Sequence, residues 1–284
     1  MAEPRPSLSR GTNFALAFQA LPPDQRDAIR AVHTWSRVVD DCVDESPDTR
    51  HAREELAMWR GEIAACYEGE PTRAASLALR PHLVRFRIPR AYLEELVSGV
   101  EMDLTQLRYA TFEELRRYCY RVASVVGLIC LRIFGDEEER GRVYAENLGV
   151  ALQLTNILRD IGSDLARGRI YLPLADLESC GYSVEALTRR ERNPAFHELM
   201  RFQAQRARGF FEAAEREARA LDPRKILAAE IMGRIYRRLL RRIEASGFDV
   251  FRREIQVPFH ERAWIAGRSI LAANSSPVPA PAGR

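Results

Sequence analysis

The placing of its acids constrains this chain most. Asp40, Asp41 and Asp44 fall in VVDDCVDE, and Asp160 and Asp164 in NILRDIGSD, stretches otherwise rich in valine, leucine and isoleucine. Both stretches read as amphipathic helices, where residues four apart share a face about 6 Å apart along the axis. Crowded like charges oppose one another's ionisation. Carboxylates on helices that belong to a core must be paired or bind metal. Either cluster alone reads as a solvated face, its acids paired to Arg37 or Arg159. The two together, on core helices, favour divalent cations that keep some waters and bridge to substrate phosphates.

Each cluster extends along a polar stripe. Stepping back from Asp44 gives Asp41 or Asp40, then Arg37, then His33. The second stripe runs Gln153, Asn156, Asp160, Asp164 at spacings of three, four and four.

Helical periodicity dominates the chain and period-two strands are absent, so an all-α fold is expected. Pro22 and Pro23 open a helix with Asp24 in its first turn, running to the first acidic cluster, and Ser46-Pro47-Asp48 breaks it. Helices are then predicted over about 50–68, 72–86, 89–107 and 112–134, the last entered through the capping-box pattern T-F-E-E at Thr111 to Glu114 and closed by Gly135. Another begins at Glu137 and carries the second cluster. After the break at ARGRIYLP, long helices are expected at about 194–221 and 223–246, and a short one at 263–271. The expected organisation is one domain over residues 1–272, with a disordered Pro-, Ala- and Ser-rich tail at 273–284.

With 284 residues, 46% of them hydrophobic and 29% charged, the chain has material for a large core. A net charge of +3 with dispersed basic residues argues against nucleic acid as a partner. Lys225 is the only lysine; the arginine bias fits base composition, and arginine also suits phosphate recognition. Cys42, Cys66, Cys119, Cys130 and Cys180 form no C-x-x-C pair, which points to reduced thiols in a cytoplasmic protein. No signal pattern or membrane span is read.

FALAFQALPPDQRDAI, SRVVDDCVDE, GVEMDL, RRYCYRVASVVGLI, ALQLTNILRDIGSDLARGRIYLP and IYRRLLRRIEASGFDVF occur in that order. In this series, from about Asn13 to Val257, the chain resembles the squalene/phytoene synthase family, enzymes that join two polyprenyl diphosphates head to head. The resemblance implies a single-domain helical bundle of isoprenoid-synthase type around a deep cavity. It implies that Asp40, Asp41 and Asp44 form one Mg2+ site and Asp160 and Asp164 another, holding two or three ions, with Asp40 and Asp160 essential to catalysis. Gln153 and Asn156 match polar cavity positions, Arg37 and Arg159 match diphosphate-side arginines, and Arg169 and Tyr171 match a segment covering the site. Tyr118 matches a tyrosine assigned to proton transfer or cation stabilisation. Phe14, Phe18, Val122, Val126 and Gly127 match positions near or lining the cavity; by spacing alone they read as ordinary core.

The implied chemistry is ionisation of one allylic diphosphate and attack by the double bond of the second. Proton loss gives a cyclopropylcarbinyl diphosphate, and commonly a second ionisation follows. There is no G-x-G-x-x-G fingerprint, and the family's reducing members use no Rossmann unit, so NADPH use stays open. The chain departs from the family pattern in having His33 where tyrosine is frequent, Ser163 where an acid is frequent, and Gly11 and Asn13 where small hydroxyl residues are frequent.

MWRGEIAACYEGEPT and VSGVEMDL resemble presqualene diphosphate synthases of squalene and hopanoid pathways, while FALAF and GFDVF lean toward phytoene synthases of carotenoid biosynthesis. The expected substrate is farnesyl diphosphate, with geranylgeranyl diphosphate as the alternative. A non-catalytic assembly factor of this fold would lose part of its acidic constellation, and all five aspartates are present. A di-iron bundle needs Glu-x-x-His motifs, and His197-Glu198 has the wrong order and spacing. Lipid substrates suggest peripheral contact with the inner face of a membrane, through the Arg-rich helix around Arg234–Arg242; a solvated face is the plainer reading of that helix.

Overall fold

The computed structural model describes residues 21–136 and 138–275, and the architecture below is that of those residues. The elements in order are α1 (Pro23–Asp44), α2 (Thr49–Glu68), α3 (Ala74–Arg85), α4 (Arg90–Thr105), α5 (Phe112–Cys119), a π-helical turn (Tyr120–Ser124), α6 (Val125–Phe134) and α7 (Glu139–Ala166). Two short helices follow, α8 (Leu174–Ser179) and α9 (Val184–Thr188), then α10 (Pro194–Ala218), α11 (Leu227–Ala245) and α12 (Phe259–Ser275). Among the described residues β pairing is limited to one isolated bridge, Arg108 with Ile170. The all-α expectation holds.

Local chemistry explains most boundaries. The α1 helix starts at the Pro22-Pro23 pair and buries Ile29, Val32, Trp35, Val39 and Val43 at helical steps. Asp48 caps α2 by accepting from the His51 amide at 2.8 Å. Thr111 caps α5, and Glu114 reaches back to the Ala110 amide at 2.8 Å, so the capping box closes one residue earlier than the standard form. Gly135, at φ 74°, ends α6 in the left-handed region that glycine tolerates.

Two apolar clusters form the interior. One gathers α1 to α4, with Trp35 edge-on to Trp59 at 5.9 Å; the other gathers α7 to α12. The α6 helix is apolar nearly all round because it feeds both, Val125 and Ile129 facing the first and Leu128 and Leu131 the second.

The structure differs from expectation in several places. The helix expected over 112–134 is interrupted by the π turn. Helices α8 and α9, of six and five residues, are too short to show a period. The helix expected from 223 starts at Leu227, because Asp222 holds the Arg224 and Ile226 amides in a turn. The C-terminal helix is longer than 263–271, so residues 273–275 belong to it and not to a tail; 276–284 lie outside the described residues.

The π turn sits where three helices crowd. A Cβ on Gly149 of α7 would lie 2.4 Å from Ser124 Cα, and one on Gly99 of α4 would lie 2.8 Å from Val122 Cγ1. These glycines let backbones approach more closely than any side chain permits. After α7 the chain runs extended beside residues 107–110, with the Ile170 amide donating to the Leu107 carbonyl at 2.8 Å and the Leu174 amide to the Tyr109 carbonyl at 2.9 Å. This stitching carries Arg169 and Tyr171 toward α1 and α4.

Candidate active site

The end of α1 and the end of α7 meet through arginines. Arg169 Nη1 lies 2.7 Å from Asp44 Oδ1, and Arg167 Nη1 3.2 Å from Asp44 Oδ2. On α1 itself, Arg37 bridges Asp41 at 3.0 Å and Asp40 at 3.7 Å. On α7, Arg159 clamps Asp160 through two bonds of 2.8 and 2.5 Å. Residues 125 apart in sequence, Asp44 and Arg169, are thus in direct contact.

The electrostatics show how tightly the acids are gathered. Burial, then the charges of Asp44 and Asp103, push the Asp40 carboxyl up to about 7 against the pull of Arg37. Burial and the charge of Asp160 push Asp164 up to about 7, opposed by Arg167 and Arg169. His33, beside Arg37, is lowered by burial and by that positive charge, so it is neutral. Ser163 is exposed, and its hydroxyl donates to the Asp160 carbonyl at 2.9 Å, so it adds nothing to the acidic face.

Asp103 is a central residue to which the sequence reading assigned no role. It continues the buried stripe of α4 formed by Leu93, Leu96 and Val100, and it is itself buried. The Tyr171 hydroxyl donates to Asp103 Oδ1 at 2.7 Å, and the Tyr118 hydroxyl donates to Oδ2 at 3.1 Å. Burial raises the Asp103 pKa despite Arg169 and both tyrosines. Its charge acts on Asp40 from one cluster and on Asp164 from the other, so it stands between them. Tyr118 and Tyr171 are stacked at 5.1 Å, and burial followed by the Asp103 charge raises both phenols. Both therefore stay protonated at neutral pH. Tyr109 completes the group, its ring 5.7 Å from Tyr118 and 5.8 Å from Tyr171.

On the α7 stripe, Asn156 donates to Gln153 at 3.4 Å, and its own Oδ1 is buried without a hydrogen-bond partner. Tyr236 on α11, also absent from the sequence reading, is buried beside Arg159, Asn156 and Asp160. Val122 lies in the π turn against Gly99 and packs with the second apolar cluster, whereas Val126 packs with the first. Gly127 faces α7, where an added Cβ would meet the Ala145 carbonyl at 3.2 Å, so close helix packing is what the structure gives it. Phe14 and Phe18, like Gly11 and Asn13, lie outside the described residues.

The donor set suits a hard divalent cation in one specific sense. All available groups are carboxylate oxygens, joined by the unpartnered Asn156 Oδ1. Among the described residues no three acidic, cysteine or histidine side chains form a ready-made metal cage. Mg2+ is usually held by one or two carboxylates, with water and substrate phosphate completing the shell. Facing acids interleaved with arginines match that requirement for a phosphate-bearing substrate.

Comparison with known proteins identifies relatives in sequence and in fold. The chain is 40% identical over 259 residues to a 15-cis-phytoene synthase from Synechocystis, covering 86% of this chain and 76% of the relative. It is 36% identical over 252 residues to a chloroplastic phytoene synthase of Zea mays, covering 86% and 59%. A solved dehydrosqualene synthase superposes with a TM-score of 0.82 at 26% identity, covering 93% of this chain and 92% of that one. A squalene synthase from Alicyclobacillus acidocaldarius gives 0.77 at 28%, covering 83% and 89%. Residues 9–261 match the Squalene/phytoene synthase profile, whose members are prenyl transferases: the chain belongs to the squalene/phytoene synthase family.

Proposed function

We propose that this prenyl transferase condenses two molecules of geranylgeranyl diphosphate head to head, releasing diphosphate and forming phytoene. The observation that carries the reaction class is the contact between Asp44 of α1 and Arg169 beyond α7, which draws both acidic clusters to one place. The substrate length rests on the named relatives, which are phytoene synthases. This reverses the order of the two substrates read from the sequence, where motif likeness favoured farnesyl diphosphate.

Asp40, Asp41, Asp44, Asp160 and Asp164 would hold Mg2+. When bound, the cation supplies Lewis-acid stabilisation of the departing diphosphate. Arg37, Arg159, Arg167 and Arg169 already lie among these acids and can turn their guanidinium groups to the diphosphate oxygens. Tyr118 and Tyr171 offer ring faces for an allylic cation, and Asp103 holds both hydroxyls so that the rings keep their stacking. As protonated phenols they do not act as phenolate bases.

Purified protein with Mg2+ and either geranylgeranyl or farnesyl diphosphate, with and without NADPH, tests the reading by product mass. Phytoene from the longer substrate, independent of NADPH, is expected. Product from farnesyl diphosphate alone would overturn the substrate assignment. Asp40→Ala and Asp160→Ala should each abolish turnover while leaving the helical circular dichroism nearly unchanged, and full activity in either would refute the site.

A further inference from the structure

The helices leave a second opening away from the acids. A groove of about 610 Å3 runs between α4, α5 with its π turn, α7 and α10, within the size range of sites that take small molecules. None of the five aspartates of the two clusters lines it, and neither does Asp103. Arg117, Tyr120 and Arg121 line it, whereas Tyr118 and Val122, interspersed with them in sequence, do not. Its apolar part is built by Met102 of α4, Val143 and Val150 of α7, and Phe210 of α10.

The rest of the lining is charged, and its pairing is uneven. Each glutamate of the groove is already held by an arginine: Glu95 by Arg121 at 2.9 Å, Glu113 by Arg116 at 3.6 Å, and Glu146 by Arg142 at 2.5 Å. Arg117, exposed at the groove, is left with no carboxylate partner among the described residues. Arg121 is pinned through Nε to Glu95 and through Nη1 to the Met102 sulfur at 3.5 Å, which leaves Nη2 unengaged. Half-buried Tyr120 adds a hydroxyl. Guanidinium groups of this kind recognise phosphate or carboxylate oxygens, while the apolar lining favours a hydrocarbon.

We propose that this groove is a second ligand site, separate from the acid-lined one, for a small amphipathic anion whose phosphate or carboxylate meets Arg117 and Arg121 and whose hydrocarbon body lies along Met102, Val143, Val150 and Phe210. Its glutamates are engaged, so it has no free acid to hold a cation and its role is binding, not diphosphate departure. An occupant ties α4, the π turn, α7 and α10 together. It thereby braces, from outside the acid-lined site, the turn that also carries Val122.

The test is calorimetric titration of intact, magnesium-free protein with decyl phosphate, kept below its micelle concentration. Saturable binding at a single site per chain is expected. Decanol and inorganic phosphate each lack half of the recognition and should bind about tenfold more weakly or worse. Arg117→Gln should weaken decyl phosphate about tenfold with circular dichroism unchanged. Val143→Phe, which fills the apolar part of the groove, should weaken it as well. Arg53→Gln removes an exposed arginine of α2 outside the groove and should bind as wild type does. No saturable binding, binding undiminished in either Arg117→Gln or Val143→Phe, or an equal loss in Arg53→Gln would overturn the proposal. So would displacement of the probe by pyrophosphate with Mg2+, which would assign it to the acid-lined site. No turnover is measured, so the outcome is independent of the substrate read above.

Discussion

Replacing Gly149 with alanine tests whether the fold positions the site through one crowded contact. The new Cβ would lie 2.4 Å from Ser124 Cα, 2.6 Å from Ser124 N and 2.9 Å from Ala123 C, all backbone atoms that cannot rotate away. Ordinary contact begins near 3.4 Å, so α7 and the π turn must separate by roughly 1 Å. Overpacking of this kind costs about 1–3 kcal/mol, and the helix propensity gained by alanine returns about 1 kcal/mol. With a backbone clash at the upper end of that range, a net loss of about 2 kcal/mol lowers Tm by about 3–4 °C in a chain of this size. The same displacement moves Val122 and the neighbouring Tyr118, so product formation measured well below Tm should fall up to ~100-fold, as misplacement by 1 Å can cause. Gly61→Ala is the control: nothing lies within 4 Å of its added Cβ on exposed α2, and Tm should rise slightly. A Gly149→Ala variant as stable and active as the unaltered protein would show that the π turn is not wedged against α7.

Other variants probe separate contacts. Glu62, buried on α2, accepts from the Thr72 amide and hydroxyl at 3.0 and 2.6 Å and from the Arg73 amide at 3.1 Å, capping α3 from outside. Burial raises its pKa, but these donors outweigh burial and the net shift is downward. A lowered carboxyl contributes stability above its ordinary value of 4.5 and loses it as pH falls through the folded value. Glu62→Gln should therefore cost about 1–3 kcal/mol at neutral pH and flatten acid unfolding below about 4.5, as read by chemical denaturation, whereas a pH profile parallel to wild type would refute the cap. Tyr118→Phe and Tyr171→Phe, which share Asp103, should couple by roughly 0.5–3 kcal/mol in a double-mutant cycle of stability; additive losses would mean the shared acceptor is unimportant. Arg169→Gln leaves Asp44 with Arg167 alone, so metal-free Tm should fall by several degrees, and Mg2+ with pyrophosphate should raise it less than in wild type because one diphosphate-side guanidinium is gone. Equal metal-free Tm values would show that the link between α1 and α7 holds nothing together.

Helix positions and the polar stripes were legible because both rest on local spacing. Gln153, Asn156, Asp160 and Asp164 needed only the helical period to be placed on one face, and the structure keeps them on α7. Asp103 left a local trace as well, an acid extending the stripe of Leu93, Leu96 and Val100, but one acid among apolar residues draws less notice than a cluster. The π turn left none in YRVAS itself. Gly99 and Gly149 on the neighbouring helices approach it closely, and only tertiary contact joins those glycines to Val122 and Ser124.

The arginines show how such a concentration of acid is accommodated in the fold. Six carboxylates, those of Asp40, Asp41, Asp44, Asp103, Asp160 and Asp164, gather with only four guanidiniums, those of Arg37, Arg159, Arg167 and Arg169. Within the two clusters, Asp40 and Asp164, whose carboxyls are pushed up to about 7, have no guanidinium within 3.0 Å, whereas Asp41, Asp44 and Asp160 each have one. The acids left without a close cation are thus one on α1 and one on α7. A divalent cation held by the acids of those two helices would supply the missing positive charge, and on the proposed reading the four arginines would be free to turn to the diphosphate oxygens. On that reading the contacts that hold the site together would also be the ones exchanged when substrate enters, so folding and binding would draw on the same four arginines.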